Sequence, residues 1–115
     1  MENTSKLSPV EKDFVEFLKE YHTGADNAIT DRRIRRTFLV NVNSRRLRRI
    51  VHRLRLVGYP IGSSNHGYYY VENEEELKPT IRLMQSRILE LQEVVKALRE
   101  TRYAMQDEKE NYVLS

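Results

Sequence analysis

The run Asn43-Ser44-Arg45-Arg46-Leu47-Arg48-Arg49-Ile50-Val51-His52-Arg53-Leu54-Arg55 limits what this chain can become more than any other stretch. Leu47, Ile50, Val51 and Leu54 recur at the 3.6-residue spacing of one helix face, with Asn43 placed to cap the start and Gly58 to end it. A helix of this kind has one apolar face and must find other elements to bury it against. The opposite face centres on Arg45, Arg49 and His52, flanked by Arg46 and Arg53 on one side and Arg48 and Arg55 on the other. Once the apolar side is anchored, the outside is a rod of guanidinium groups.

The formal net charge of +3 conceals how unevenly charge is spread. Residues 30–66 hold ten arginines, no lysine and a single acid, Asp31, whereas residues 1–29 and 72–115 are each net acidic by three. Positive charge confined to one third of a chain is the electrostatic footprint of a nucleic-acid-binding surface, and arginine suits forked contacts to phosphates and guanine edges. The competing reading is a solvated helix face. Against it, the stretch from Arg45 to Arg55 has six arginines, His52 and no acid, so no i,i+4 ion pair relieves their repulsion and a polyanion is the natural partner.

The remaining elements follow in order. Residues 1–7 read as a polar arm. Ser8-Pro9-Val10-Glu11 is a capping box with proline at the first helical position, and Val10, Phe14, Phe17, Leu18 and Tyr21 share a face, so a first helix runs to about Tyr21. Gly24 stops it, and Asn27-Ala28-Ile29 fits an extended link. Thr30 caps a second helix over Asp31 to about Leu39, with Ile34, Phe38 and Leu39 inward. Val40-Asn41-Val42-Asn43 is too turn-prone to continue it, which leaves Val42 as an apolar plug between two helices, the second one basic. That is the layout of a helix-turn-helix. Gly58 to Gly62, a polar loop Ser63-Ser64-Asn65-His66-Gly67, and Tyr68 to Val71 then read as a β-hairpin, with Pro60 at a strand start or edge. The three tyrosines are read as one buried and one exposed strand face rather than as a base-stacking platform. The predicted class is mainly α with a small β-hairpin (α+β): a winged helix-turn-helix followed by a long C-terminal helix.

The run Leu54-Arg55-Leu56-Val57-Gly58-Tyr59-Pro60-Ile61, followed by Gly67-Tyr68-Tyr69-Tyr70, resembles the signature of bacterial winged helices similar to the N-terminal DNA-binding domain of the biotin repressor. The resemblance covers residues 8–72, and residues 73–115 do not resemble a biotin-ligase domain, so only the binding module is expected to carry over. It implies a double-stranded DNA binder whose third helix enters the major groove and whose wing touches the backbone or minor groove. By position it implies Ser44, Arg45, Arg46 and Arg49 as groove residues and Ser63, Ser64, Asn65 and His66 as the wing. Arg35, Arg36, Arg48 and Arg53 are expected to hold phosphates. The small size and composition also resemble phage or mobile-element regulators.

From Asn73 the pattern changes. Asn73 is placed to cap Glu74-Glu75-Glu76, and Pro79 suggests a break before a helix from about Thr80 to Met105. Ile81, Met84, Ile88, Leu91, Val95, Leu98 and Met105 form a heptad seam with Arg102 at the one missing a position, so residues 73–106 are expected to dimerise. β-Branched residues at a and leucine at d favour parallel dimers. Yet in that arrangement Arg87 faces Gln92 and Val94 faces Arg99, Leu83 and Leu89 lie off the seam, and the orientation stays open. Residues 107–115 read as a tail.

With no cysteine the chain has no disulfide framework or thiolate metal site, and His22, His52 and His66 are scattered. No glycine-rich phosphate loop or nucleophile motif supports catalysis, so no enzyme activity and no cofactor are expected. No run is apolar enough to span a bilayer and the N-terminus lacks a signal-peptide pattern, so a cytoplasmic protein of a bacterial cell or phage-infected host is expected. The expected partners are double-stranded DNA and a second copy of the chain. The alternative is a winged-helix adaptor in a phage replication or packaging complex, whose long helix binds a protein partner; RNA or single-strand binding is a third reading.

Overall fold

The structure, a computed structural model, describes residues 7–114, with side chains described through residue 109. Its elements are α1 (Pro9–Tyr21), a 3₁₀ turn (Ala25–Asn27), α2 (Asp31–Thr37), α3 (Ser44–Val57), β1 (Ile61–Ser64), β2 (Gly67–Tyr70), a second 3₁₀ turn (Glu74–Glu76) and α4 (Leu77–Leu114). The chain is thus mainly helical, with a two-stranded antiparallel hairpin and a long C-terminal helix. It divides into two compact units at Thr80/Ile81.

The first unit is built by its caps and one apolar core. The Ser8 hydroxyl accepts from the Glu11 N–H and the Glu11 carboxylate accepts from the Ser8 N–H, which completes the capping box of α1. Phe14, Val15 and Leu18 of α1, Ile34 of α2, and Leu47, Ile50, Val51 and Leu54 of α3 bury one another together with Leu7, Ile29, Leu39, Tyr59 and Ile61. Leu7 therefore belongs to the core rather than to a polar arm. Val15 replaces Tyr21 on the buried face of α1, because residues 11, 14, 15 and 18 follow the helical i, i+3, i+4, i+7 path while Tyr21 is 63% exposed.

Four local features differ from the sequence expectation. Helix α2 stops at Thr37, two residues early: Phe38 leaves helical geometry, and the Leu39 N–H turns back onto the Ile34 carbonyl at 2.8 Å. Ser63 and Ser64 lie within β1, in register with Tyr68 and Gly67, so the loop is only Asn65-His66. Asn73 makes no side-chain cap; instead Glu76 accepts from the Glu72 N–H at 2.7 Å and the Ala25 N–H at 2.8 Å. Pro79 causes no break, since it sits in the first turn of α4, where its missing N–H has no helical partner to lose.

Ala28 to Thr30 is indeed extended at Ile29, which exchanges two 2.8 Å hydrogen bonds with Tyr68, while Asn27 lies in the 3₁₀ turn. On the same strand edge Tyr70 donates to the His22 carbonyl and accepts from the Gly24 N–H, both at 2.8 Å. The hairpin is thereby fastened to the helices along β2. Tyr69 points the other way, across Gly62, and its hydroxyl donates to the Glu76 carbonyl at 3.3 Å. Tyr69 is buried and Tyr68 and Tyr70 are half-buried against the core, so none of the three is presented as an open stacking face.

The second unit is the continuation of α4 beyond Thr80. It runs to Leu114, past the point where a tail was expected. Residues 106–110 are poor in apolar groups but rich in glutamine, glutamate and lysine, which have high intrinsic helix propensity and need no buried face to stay helical. No helix is long and apolar enough to cross a membrane among the described residues.

Candidate nucleic-acid interface

Helix α3 is fixed at both ends by residues readable in the sequence. The Asn43 carboxamide oxygen accepts from the Arg46 N–H at 2.8 Å, and Gly58 closes the helix in the left-handed conformation at φ 116°, its N–H shared between the Leu54 and Arg55 carbonyls. With Leu47 and Leu54 fully buried and Ile50 and Val51 nearly so, rotation about the helix axis is locked. The opposite face is consequently presented to solvent: Arg45, Arg46, Arg48, Arg49 and His52 are all exposed. Arg32, Arg33 and Arg36 of α2 are exposed as well. None of these seven arginines forms an ion pair with an acid among the described residues.

The remaining arginines of the basic third are used by the fold. Asp31, its single acid, accepts from Arg35 Nε at 2.5 Å and from the Ser44 hydroxyl at 3.1 Å, tying the start of α2 to the start of α3. Arg53 Nε donates to Glu11 at 2.8 Å, joining α3 to the capping box of α1. Arg55 turns toward the hairpin, where Nε donates to the Ile61 carbonyl at 2.8 Å and a terminal nitrogen to the Ser63 hydroxyl at 3.2 Å. Of the expected contact residues, Arg45, Arg46, Arg49 and Arg48 of α3 and Arg36 of α2 are therefore exposed without an acid partner among the described residues, whereas Ser44, Arg35 and Arg53 are already engaged internally. Of the wing set, Ser64, Asn65 and His66 are exposed; Ser63 is half-buried between Arg55 and Thr80, whose hydroxyl accepts from its N–H at 3.0 Å. Leu56, 75% exposed, stands on the basic side of α3 near its end.

Sequence reasoning missed the bracing roles of Asp31, Arg55 and Glu11. One local signal existed for the first: an acid followed four residues later by arginine is a helical ion-pair spacing. The other two depend on residues brought together by the tertiary fold.

A groove between the start of α1 and α3 is lined by Ser8, Val10, Glu11, Arg46, Arg49, Ile50 and Arg53. Burial raises the Glu11 pKa, but the Ser8 hydrogen bonds and the Arg53 guanidinium outweigh it and the net displacement is downward from 4.5. Glu76 is likewise lowered from 4.5, by the hydrogen bonds from the Ala25 and Glu72 N–H groups. A carboxylate whose folded pKa lies below its unfolded value stabilises fully above the unfolded pKa, and the contribution disappears as pH falls through the folded one. The urea midpoint is expected to be steady near neutrality and to fall as pH drops below about 4.5, the ordinary value for both groups. In a Glu11→Gln, Glu76→Gln double variant that acid-side decline should be visibly shallower; an unchanged decline would show that other groups set it.

No family model matches the chain, and no curated protein or solved structure matches it.

Proposed function

We propose that this chain is a winged-helix protein that binds double-stranded DNA, paired with a second copy of itself, and serves as a regulator of transcription or replication in the cytoplasm. The observation that carries this reading is the set of seven exposed arginines on α2 and α3, left without acid partners among the described residues while Asp31 is occupied by Arg35 and Ser44. A surface that retains this much uncompensated charge gains most from a polyanion whose condensed counterions it can displace. In this reading α3 lies in the major groove. Arg45, Arg46 and Arg49 then reach base edges, guanine O6 and N7 being the best match for a guanidinium fork, while Arg36 and Arg48 hold phosphates. Asn65 and His66 at the hairpin tip, with Ser64 beside them, contact the backbone. Ser44, Arg35 and Arg53 act in this mechanism by fixing the orientation of α3, not by touching DNA.

A two-fold dimer requires an inverted repeat with half-sites about 10 bp apart or a multiple of it. Selection of bound molecules from random duplex DNA by the full chain tests the reading. Enrichment of a repeated half-site is expected, and the absence of any enrichment or retained duplex would refute it.

A further inference from the structure

We infer that α4 pairs with α4 of a second copy in the antiparallel direction, centred near Glu93. This rests on the dimer of the proposed function and adds the orientation, which the heptad alone leaves open. Ile88, Leu91, Val95 and Leu98 of the seam are 45–65% exposed, an apolar stripe of the kind that pairs with a like stripe. Three features select the direction.

The first is the charge along the helix. Residues 77–89 contain three bases and no acid, residues 90–102 three of each, and residues 103–114 three acids against one base. Parallel pairing lays the basic ends together and the acidic ends together. Antiparallel pairing about Glu93 lays residues 77–83, with two bases and no acid, beside the partner's residues 103–109, with two acids and one base, and also opposes the helix dipoles.

The second is Arg102, the polar member of the a positions. In a parallel pair a faces a, so two guanidiniums meet in one core layer. In the antiparallel pair a faces d: Leu91 meets the partner's Val95, Ile88 the partner's Leu98, and Arg102 the partner's Met84, along which the arginine stem can lie with its charge in water.

The third is Val94, a 53% exposed apolar residue at a flanking g position. Parallel pairing sets it against the partner's Arg99. Antiparallel pairing about Glu93 brings Val94 against the partner's Val94, widening the apolar seam where the helices cross their centre. At 1.5 Å per residue the two copies of Thr80 then lie roughly 39 Å apart along the coil, close to one turn of duplex DNA.

The chain has no cysteine, so a single spin label can be placed through Arg82→Cys on the exposed helix surface of the full-length protein. The antiparallel pair predicts a label separation of roughly 33 Å along the axis, whereas a parallel pair predicts less than about 20 Å. Sedimentation of Val94→Glu gives a second readout of opposite sign. The introduced carboxylates face each other in the antiparallel pair, and the dimer dissociation constant should rise at least about tenfold; in a parallel pair each meets Arg99 and the dimer holds or tightens. A dimer with a short label distance, or one strengthened by Val94→Glu, overturns the orientation and leaves the dimer standing. A chain that sediments as a monomer overturns both.

Discussion

Replacing Arg45 and Arg49 together by alanine is expected to weaken binding to the preferred duplex by about 3 kcal/mol, on the order of a hundredfold, while unrelated duplexes lose much less. The expectation follows from position. Both side chains project from the face of α3 opposite Leu47, Ile50 and Leu54, and neither is held by an acid among the described residues. Their removal leaves the core and caps intact, so the urea midpoint should move by no more than about 0.5 kcal/mol-equivalent. Arg36→Ala is the contrasting variant. As a phosphate contact it should weaken all duplexes about equally and lower the salt slope by about one. Anisotropy titrations on the selected site and a scrambled duplex separate the two. Equal losses on both duplexes for the α3 pair, with selective loss for Arg36, would reverse the assignments.

The largest expected effect on stability lies in the hairpin, beside its turn, in Gly67→Ala. Gly67 adopts φ +113°, a conformation that L side chains rarely take, and a Cβ there would lie 2.0 Å from the Ile29 carbonyl oxygen and 2.3 Å from its carbon. Those are backbone atoms, and they belong to the residue that exchanges two hydrogen bonds with Tyr68. Relief of the clash must move Ile29 away from β2, breaking the link between hairpin and helices. Strain plus two lost hydrogen bonds amount to roughly 3 kcal/mol or more, measurable by urea unfolding. His66→Ala, at the exposed tip one residue away, should change stability by less than about 0.5 kcal/mol. A Gly67→Ala protein within about 1 kcal/mol of the parent would mean that the hairpin can relax without loss, contrary to the packing described.

How far the sequence reveals this architecture depends on whether the determining interactions are local. Helix α3 was legible to the residue because its stripe, its Asn43 cap and its Gly58 stop all lie within sixteen positions of one another. The capping box of α1 was legible for the same reason. The end of α2 was not, because Phe38 and Leu39 have the composition of a helical face yet are drawn out of the helix, Phe38 to stack on Phe17 at 4.3 Å and Leu39 into the core. Nor was the end of α4, where the lack of apolar residues argued for a tail while helix-forming side chains continued the helix. The basic surface was legible as charge but not as a division of labour. Arg53 pairs with a carboxylate 42 positions earlier and Glu76 with an amide 51 positions earlier, and no spacing rule reaches that far. The sequence therefore offered ten arginines as one group, whereas the fold divides them into three that brace it and seven that face outward.

That division makes the salt dependence of DNA binding the most direct measurement. With several guanidiniums displacing condensed counterions, log affinity should fall linearly with log salt at a slope steeper than about −3, corresponding to at least three or four phosphates neutralised. Arg45→Ala/Arg49→Ala and Arg36→Ala should retain most of that slope but bind more weakly. A slope near zero, or no detectable association with duplex DNA at low salt, would contradict the account, because it would mean that the outward arginines of α2 and α3 meet no polyphosphate.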